Sequence, residues 1–491
     1  MTAITTTAVE AARAGGRVPK PSSVKVIVDQ HFNSKVYTSG SSISGHALVK
    51  TSKDVHFDHF DIIFSGIAAT RLDFVQQYPA HSFRPFMKLR MPLDGSSLPD
   101  NQVFVAGKTY RIPFHFVVPH QLTLGACNHQ CSSPAVRDHH LRLPPTVGFW
   151  EADDQAPEMA HIEYSIKARA YRHALEPGAA PIKLMESQHV LKVLPSLPED
   201  APLDITFRDE RYVMSKSKTI RKNLFSTKAG KLTATATQPN AIMLSADGHK
   251  ASGSVVRINL RFAAISADNT PPRINSMSAK LATHTFFGAA PTDLMPNLGS
   301  RATYTPNPSL SYTTNNNLFT HRFTEKVEWH RHNSTGRRDS GYSSLGLVDE
   351  DQSETEGQRV SDQSGKKCPI LRSAILEVPF SIPMNNRKLF LPTFHSCLIS
   401  RTYTLHVNIS LGPANASISL AIPLQIGVEA VHEPPAAELP SFESAVAELH
   451  QPDGGNRVDV RTLHFLHRSD YSDSLLPDYD EVNRRTEQLA H

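Results

Sequence analysis

Tyr110-Arg111-Ile112-Pro113-Phe114-His115-Phe116-Val117-Val118 decides the fold class of this chain. In an extended strand successive side chains point to opposite faces. Tyr110, Ile112, Phe114, Phe116 and Val118 therefore share one face, and Arg111, Pro113, His115 and Val117 share the other. One apolar and one largely polar face is the pattern of a strand half-buried on a core.

The same grammar recurs outward in both directions. Ile162, Tyr164, Ile166, Ala168 and Ala170 alternate with His161, Glu163, Ser165, Lys167 and Arg169. Further along, Val256, Ile258, Leu260 and Phe262 alternate with Arg257, Asn259 and Arg261. Tyr403, Leu405, Val407, Ile409 and Leu411 repeat the pattern, and a last strand runs from Ile418 to Val428. In that last strand Pro423, which cannot donate to a ladder, predicts an edge or a bulge. Shorter candidates lie at 24–28, 42–51, 57–65, 189–194 and 374–382. Strong helical periodicity is nearly absent before residue 430. Many such strands, separated by turn residues, predict antiparallel sandwiches with little helix.

Composition agrees. The chain has 491 residues, enough for two or three domains, and its 35 Pro outnumber its 24 Gly. Proline is confined to edges, turns and linkers. The stretch Leu194-Pro195-Ser196-Leu197-Pro198-Glu199-Asp200-Ala201-Pro202 interrupts the strand pattern and predicts an interdomain hinge. The resulting division is a disordered arm at 1–20, one sandwich at 21–196, a second at 197–431, and a disordered tail at 432–491. Within the second sandwich, residues 291–368 are predicted to be a disordered insertion. They hold the run Asn315–Asn317, a basic patch at Arg331, Arg337 and Arg338, then an acidic one at Asp349–Asp351, Glu354 and Glu356. Their apolar content is too low to offset the entropy of ordering.

Several functional classes are excluded. The net charge of +4 is diffuse, without the basic and aromatic clusters of a nucleic-acid binder. It fits a weak peripheral attraction to anionic membrane surfaces. No apolar run is long enough to span a bilayer, and residues 1–20 lack a signal-peptide core. Four Cys are too few for a disulfide scaffold and fit a reducing compartment. No catalytic motif is complete. Gly107-Lys108-Thr109 lacks the first glycine of a P-loop, Gln102 standing in its place, and it leads into a strand. His161-Ile162-Glu163 has no following P-C-x-x-C. The expectation is a non-enzyme with no cofactor.

The strand details resemble the arrestin family. Gly107, Phe114, Phe116 and Pro119 form a G-x6-F-x-F-x-x-P pattern. Leu143-Pro144-Pro145-Thr146, an acidic loop and the strand Ile162–Ala168 follow, as in the second half of an arrestin N-terminal domain. Tyr403–Leu411 and Ile418–Ile426 look like the last hairpin of an arrestin C-terminal domain. The resemblance covers residues 24–430 apart from the insertion. It is greatest to fungal arrestin-related trafficking adaptors (alpha-arrestins). It implies two arrestin-like sandwiches that contact a membrane transporter or receptor cargo. It further implies a tail that recruits a HECT-type ubiquitin ligase through the ligase's WW domains. The protein would then be cytoplasmic, with transient recruitment to the plasma membrane or endosomes. The alternative is an endosomal sorting scaffold of the same fold that recruits no ligase.

The tail supplies the motif. Leu476-Pro477-Asp478-Tyr479 resembles the L/P-P-x-Y ligand of WW domains, in which a proline held near the polyproline II form and a tyrosine ring dock in adjacent grooves. Leu476 stands where the full motif has Pro. A second copy, Leu439-Pro440-Ser441-Phe442, has Phe where Tyr is expected and so lacks the hydroxyl. Tyr479-Asp480-Glu481-Val482 also reads as a tyrosine-based sorting signal, and a plain solvated tail is the remaining reading. Arg337-Arg338-Asp339-Ser340 resembles a basophilic kinase site, with Ser340 the acceptor. Cys127-Asn128-His129-Gln130-Cys131 and the nearby His139-His140 have metal-binding composition. C-x3-C is not a standard spacing, however, and no second Cys pair exists, so no structural metal is expected.

Overall fold

The computed structural model describes residues 23–72, 80–93, 97–174, 180–221, 227–300, 309–332, 370–385, 387–412 and 416–431. The arm at 1–20, Ser340, and both tail motifs (Leu439, Pro440 and Phe442; Leu476, Pro477, Asp478 and Tyr479) lie outside them.

The alternation becomes two antiparallel β-sandwiches. In the first, Ser42–Lys50 is flanked by Ser23–Val28 and Thr109–Val117. The facing sheet runs Val36–Tyr37, Ile182–Val193, Ala160–Arg172, His59–Leu72, Ala80–Arg90. Ile112, Phe114 and Phe116 are all buried, while Arg111, His115 and Val117 are exposed. The Phe64 and Phe116 rings meet across the two sheets at 5.9 Å. Tyr164 is fully buried, and its hydroxyl donates to the Pro144 carbonyl at 2.6 Å, which ties the Pro-Pro segment to the core.

In the second sandwich one sheet runs Ser215–Arg221, Lys228–Ala236, Ser254–Ala264, Ile370–Phe380, His330–His332. The other runs Leu310–Arg322, Ile274–Phe287, Ile399–Leu411, Phe394–His395, with Ser417–Leu424 also pairing with Ile399–Leu411. Val256, Ile258, Leu260 and Phe262 are at 0% exposure, so the predicted apolar face is the core face. Removing the Phe262 ring would cost about 3–5 kcal/mol in lost transfer energy and cavity. Pro423 sits opposite Thr404 on the Ser417–Leu424 strand, whose outer side is met by a single bridge between Val213 and Ala421. That is the edge position its missing N–H requires.

Each sandwich has one short parallel pair that its last strand completes. Val36–Tyr37 pairs with Lys192 and Val193, and Ile242–Leu244 pairs with Ile426–Val428.

Two expectations are corrected. Residues 291–368 are not one disordered insertion. Leu310–Arg322 is an edge strand in register with Ile274–Phe287, and His330–His332 pairs with Ile370–Phe380. Residues 333–369 lie outside the described residues. Composition misled because an edge strand gains main-chain hydrogen bonds along one side and need bury little apolar surface. Only Asn316 of the strand is buried, and it is polar. The segment around 195–202 does join the sandwiches, yet it is pinned rather than free. Leu197 and Val428 exchange backbone hydrogen bonds at 3.1 and 2.8 Å. The Asp200 backbone N–H donates to the Gln425 side chain, which donates back to the Asp200 carbonyl, at 3.0 and 3.1 Å.

Candidate functional site

The seam between the sandwiches concentrates the buried polar groups. The loop after Leu143-Pro144-Pro145 builds most of it. Gly148 has φ +84°, where a Cβ would strike the His161 ring, and its N–H donates to Asp154 Oδ2 at 2.7 Å. The loop then presents Gln155 to the second sandwich. Gln155 is 1% exposed and adopts φ +60°, a left-handed conformation that non-glycine residues keep only when their surroundings impose it.

Its surroundings do so. Gln155 Oε1 accepts from Asn316 Nδ2 at 2.6 Å, Thr314 Oγ1 at 3.0 Å and Thr283 Oγ1 at 3.2 Å. Its Nε2 donates to the Leu389 carbonyl at 3.3 Å. Lys388 Nζ holds the other end of Asn316 at 2.6 Å. The Asn-rich run is thus the receptor for Gln155. Beside it, Arg401 is wholly buried and donates through Nη1 to the Asp154 carbonyl at 2.9 Å. Asp153 and the segment Arg387–Leu389 exchange backbone bonds of 3.0 and 2.9 Å, and Thr70 donates to the Gly288 carbonyl at 2.7 Å.

The linker is clamped from the first sandwich. Arg142 makes a bidentate bond to Asp200, both contacts at 2.7 Å. Partial burial pushes the Asp200 carboxyl up, but the Arg142 hydrogen bonds and charge outweigh it and hold the group below its ordinary value.

Two hollows open on this seam. One, of about 730 Å³, is lined by Phe32, Val36 and Trp150 from the first sandwich and Met384, Lys388 and Leu389 from the second. Lys192, also on its wall, bridges Glu151 and the Asn33 carbonyl. The other, of about 400 Å³, has Val136, His139, Asp200, Tyr212, His395 and Tyr403 on its walls.

A third feature adjoins the second hollow. The helix Pro134–His140 starts at Ser133, whose Oγ accepts from the Val136 N–H at 3.4 Å, with Pro134 in its first turn. Such a Ser-Pro start is a legible helix signal that the strand-dominated reading passed over. The helix delivers His140 onto Cys127, Nδ1 lying 3.7 Å from the sulfur. Cys127 is also 3.4 Å from His129 Nε2 and 3.6 Å from Cys131 Sγ. Cys397, from the turn between Phe394–His395 and Ile399–Leu411, completes a group of four with Cys127, His129 and His140. Burial pushes the Cys397 thiol up to about 12 and lowers His140 to about 4. The argument against a metal, that Cys127 and Cys131 lack a second half, therefore fails. That half comes from about 270 residues away, where no local spacing announces it.

The architecture and the seam define an arrestin-like pair of sandwiches. Residues 309–428 match the family model described as Bul1 C terminus, which is the arrestin-related C-terminal domain of a family of fungal alpha-arrestin-like trafficking adaptors. The match begins at the Asn-rich edge strand and ends at the strand Ile426–Val428, so it spans the receptor for Gln155. No curated protein matches the chain. The family match implies an arrestin-related trafficking-adaptor role. Among the described residues no helix is long and apolar enough to cross a membrane.

Proposed function

We propose that this protein is a non-enzymatic adaptor that links membrane cargo to a HECT-type ubiquitin ligase, so that the cargo is ubiquitinated, internalised and sorted. The observation that carries this is the Bul1 C terminus match over residues 309–428. It falls within a two-sandwich chain whose tail holds the L/P-P-x-Y-like sequence Leu476-Pro477-Asp478-Tyr479. Sandwich pairs offer broad surfaces for a protein partner, and a short tail motif offers a separate handle for a second. An adaptor needs both. Protein partners, rather than a small-molecule substrate, also fit the absence of any complete catalytic motif in the sequence.

The ligase half of the reading is tested on the full chain by co-purification with a WW-domain ligase and by cargo ubiquitination in cells. The Pro477→Ala/Tyr479→Ala double substitution is expected to abolish both while the thermal transition of the sandwiches is unchanged. Unaltered ligase binding and cargo ubiquitination in that double variant would refute ligase recruitment through this motif. Normal cargo sorting without any ligase contact would leave the scaffold reading.

A further inference from the structure

We propose that Cys127, His129, His140 and Cys397 are the ligands of a structural zinc ion that joins the two sandwiches. The four donor atoms all lie within 4.8 Å of one another. A tetrahedral zinc with sulfur at about 2.3 Å and nitrogen at about 2.0–2.1 Å sets donor–donor edges of about 3.5 Å for sulfur–nitrogen and about 3.8 Å for sulfur–sulfur. The Cys127 sulfur lies 3.4 Å from His129 Nε2 and 3.7 Å from His140 Nδ1. These two of the six donor–donor edges are already close to coordination length, and the remaining four are within 4.8 Å.

Ring orientations point the same way. His129 Nδ1 is 2.9 Å from the Gln130 carbonyl. An N–H there fixes the tautomer and leaves the Nε2 lone pair facing the Cys127 sulfur, the usual arrangement around a metal-bound imidazole. His140 is 2% exposed, and the neighbours of its Nδ1 are the sulfurs of Cys127 and Cys131, at 3.7 and 3.9 Å. Its Nε2 is buried without a partner. A buried imidazole whose ring bonds neither oxygen nor nitrogen is poorly explained as packing. Arg84 braces the loop, its Nη2 donating to the Ala126 carbonyl at 3.2 Å and to Asn128 Oδ1 at 2.7 Å.

The chemistry selects the ion. Thiolate with imidazole in a tetrahedral, closed set suits zinc and disfavours magnesium or calcium. On binding, the Cys127 and Cys397 thiols release their protons to solvent, and two neutral imidazoles donate lone pairs. Two negative charges then balance the dication, so the buried site carries no net charge. Cys131 stays a thiol outside the set. Three ligands come from the first sandwich and one from the second, so the ion would act as a cross-link over the seam.

The test is metal analysis of the full chain purified under reducing conditions. It is followed by chelation and by reconstitution with Zn²⁺ or Co²⁺ alone. Zinc in a 1:1 ratio is expected, as are the absorption bands of tetrahedral thiolate-bound Co²⁺. Cys397→Ser and His140→Ala should lose the metal, and Cys131→Ser should keep it. Should Cys397→Ser not fold, alkylation of the native chain gives an independent reading. Cys127 and Cys397 should be shielded with zinc present and should react after chelation. A wild-type chain that neither retains zinc nor gives the tetrahedral Co²⁺ spectrum overturns the proposal. Full zinc content in Cys397→Ser, or metal lost in Cys131→Ser but kept in His129→Ala, overturns the ligand set.

Discussion

Asn316 Nδ2 donates to Gln155 Oε1 at 2.6 Å, joining a left-handed loop residue of the first sandwich to the edge strand of the second. Buried amides of this kind hold two surfaces in one register, because each lost partner leaves the other group unsatisfied.

Gln155→Ala should therefore destabilise the seam well beyond the loss of one exposed side chain. Each buried group left unpaired costs about 1–3 kcal/mol, and the loop must still adopt φ +60°. Denaturation of Gln155→Ala, Asn316→Ala and the double variant gives the check. The double variant should be less destabilised than the sum of the singles, with a coupling of about 0.5–3 kcal/mol. Strict additivity would mean that the contact carries no energy.

His284 predicts an acid-sensitive second sandwich. Its Nδ1 lies 2.9 Å from Thr313 Oγ1 and its Nε2 3.1 Å from Thr404 Oγ1. Burial, with smaller effects from Arg211 and His406, lowers its pKa to about 4. The unfolded chain, with an ordinary histidine near 6.5, binds a proton that the folded chain refuses. The contribution to stability is thus fully present above pH 6.5 and is lost as pH falls from there towards 4. Unfolding midpoints over that range should fall less steeply in His284→Gln than in the native chain.

The corrected boundaries of the second sandwich predict which residues can be removed. His332 stands opposite Leu371 in the His330–His332/Ile370–Phe380 pair, so the ends of the segment at 333–369 are already adjacent. Replacing 334–369 with a short Gly-containing turn should leave the thermal transition within a few degrees, since loop closure depends only weakly on length. Deleting 310–322 should unfold or aggregate the sandwich, because it strips the edge from Ile274–Phe287 and removes the Thr314 and Asn316 donors from Gln155. Equal tolerance of both deletions would show that the edge strand is dispensable.

Within the tail, Val482→Ala separates two readings of the same tyrosine. A WW ligand ends at Tyr479, so ligase binding should be unchanged; a sorting signal needs the apolar position and would lose cargo uptake. Phe442→Ala should have little effect alone and a measurable one only when Leu476–Tyr479 is already impaired.

The half-buried strands were legible because one face met a core and the other met water. Tyr110–Val118 and Tyr403–Leu411 are of that kind. Leu310–Arg322 was not, since its one fully buried side chain is the amide of Asn316, and Leu310, Leu318 and Phe319 meet the core only in part. Long pairing partners such as Ile274–Phe287, with Thr283, His284 and Thr285 all within 9% exposure, escaped for the same reason. A polar seam erases the alternation that a strand reading depends on. Gln155 had no signal in the sequence beyond its place in an acidic loop. Cys127 and His129 were visible as a cluster, whereas Cys397 could be joined to them only through tertiary structure.

The two parallel latches also govern when the chain can fold during synthesis. Tyr37 waits for Val193, and Leu244 waits for Val428. Neither sandwich can close until its last strand has left the ribosome. The Gln155 side chain, made early, must remain without its receptor until Asn316 is synthesised and the second sheet has assembled around it. A nascent chain stalled before residue 426 would thus carry a completed first sandwich and an open second one, with the polar seam of the first bared to whatever chaperone meets it.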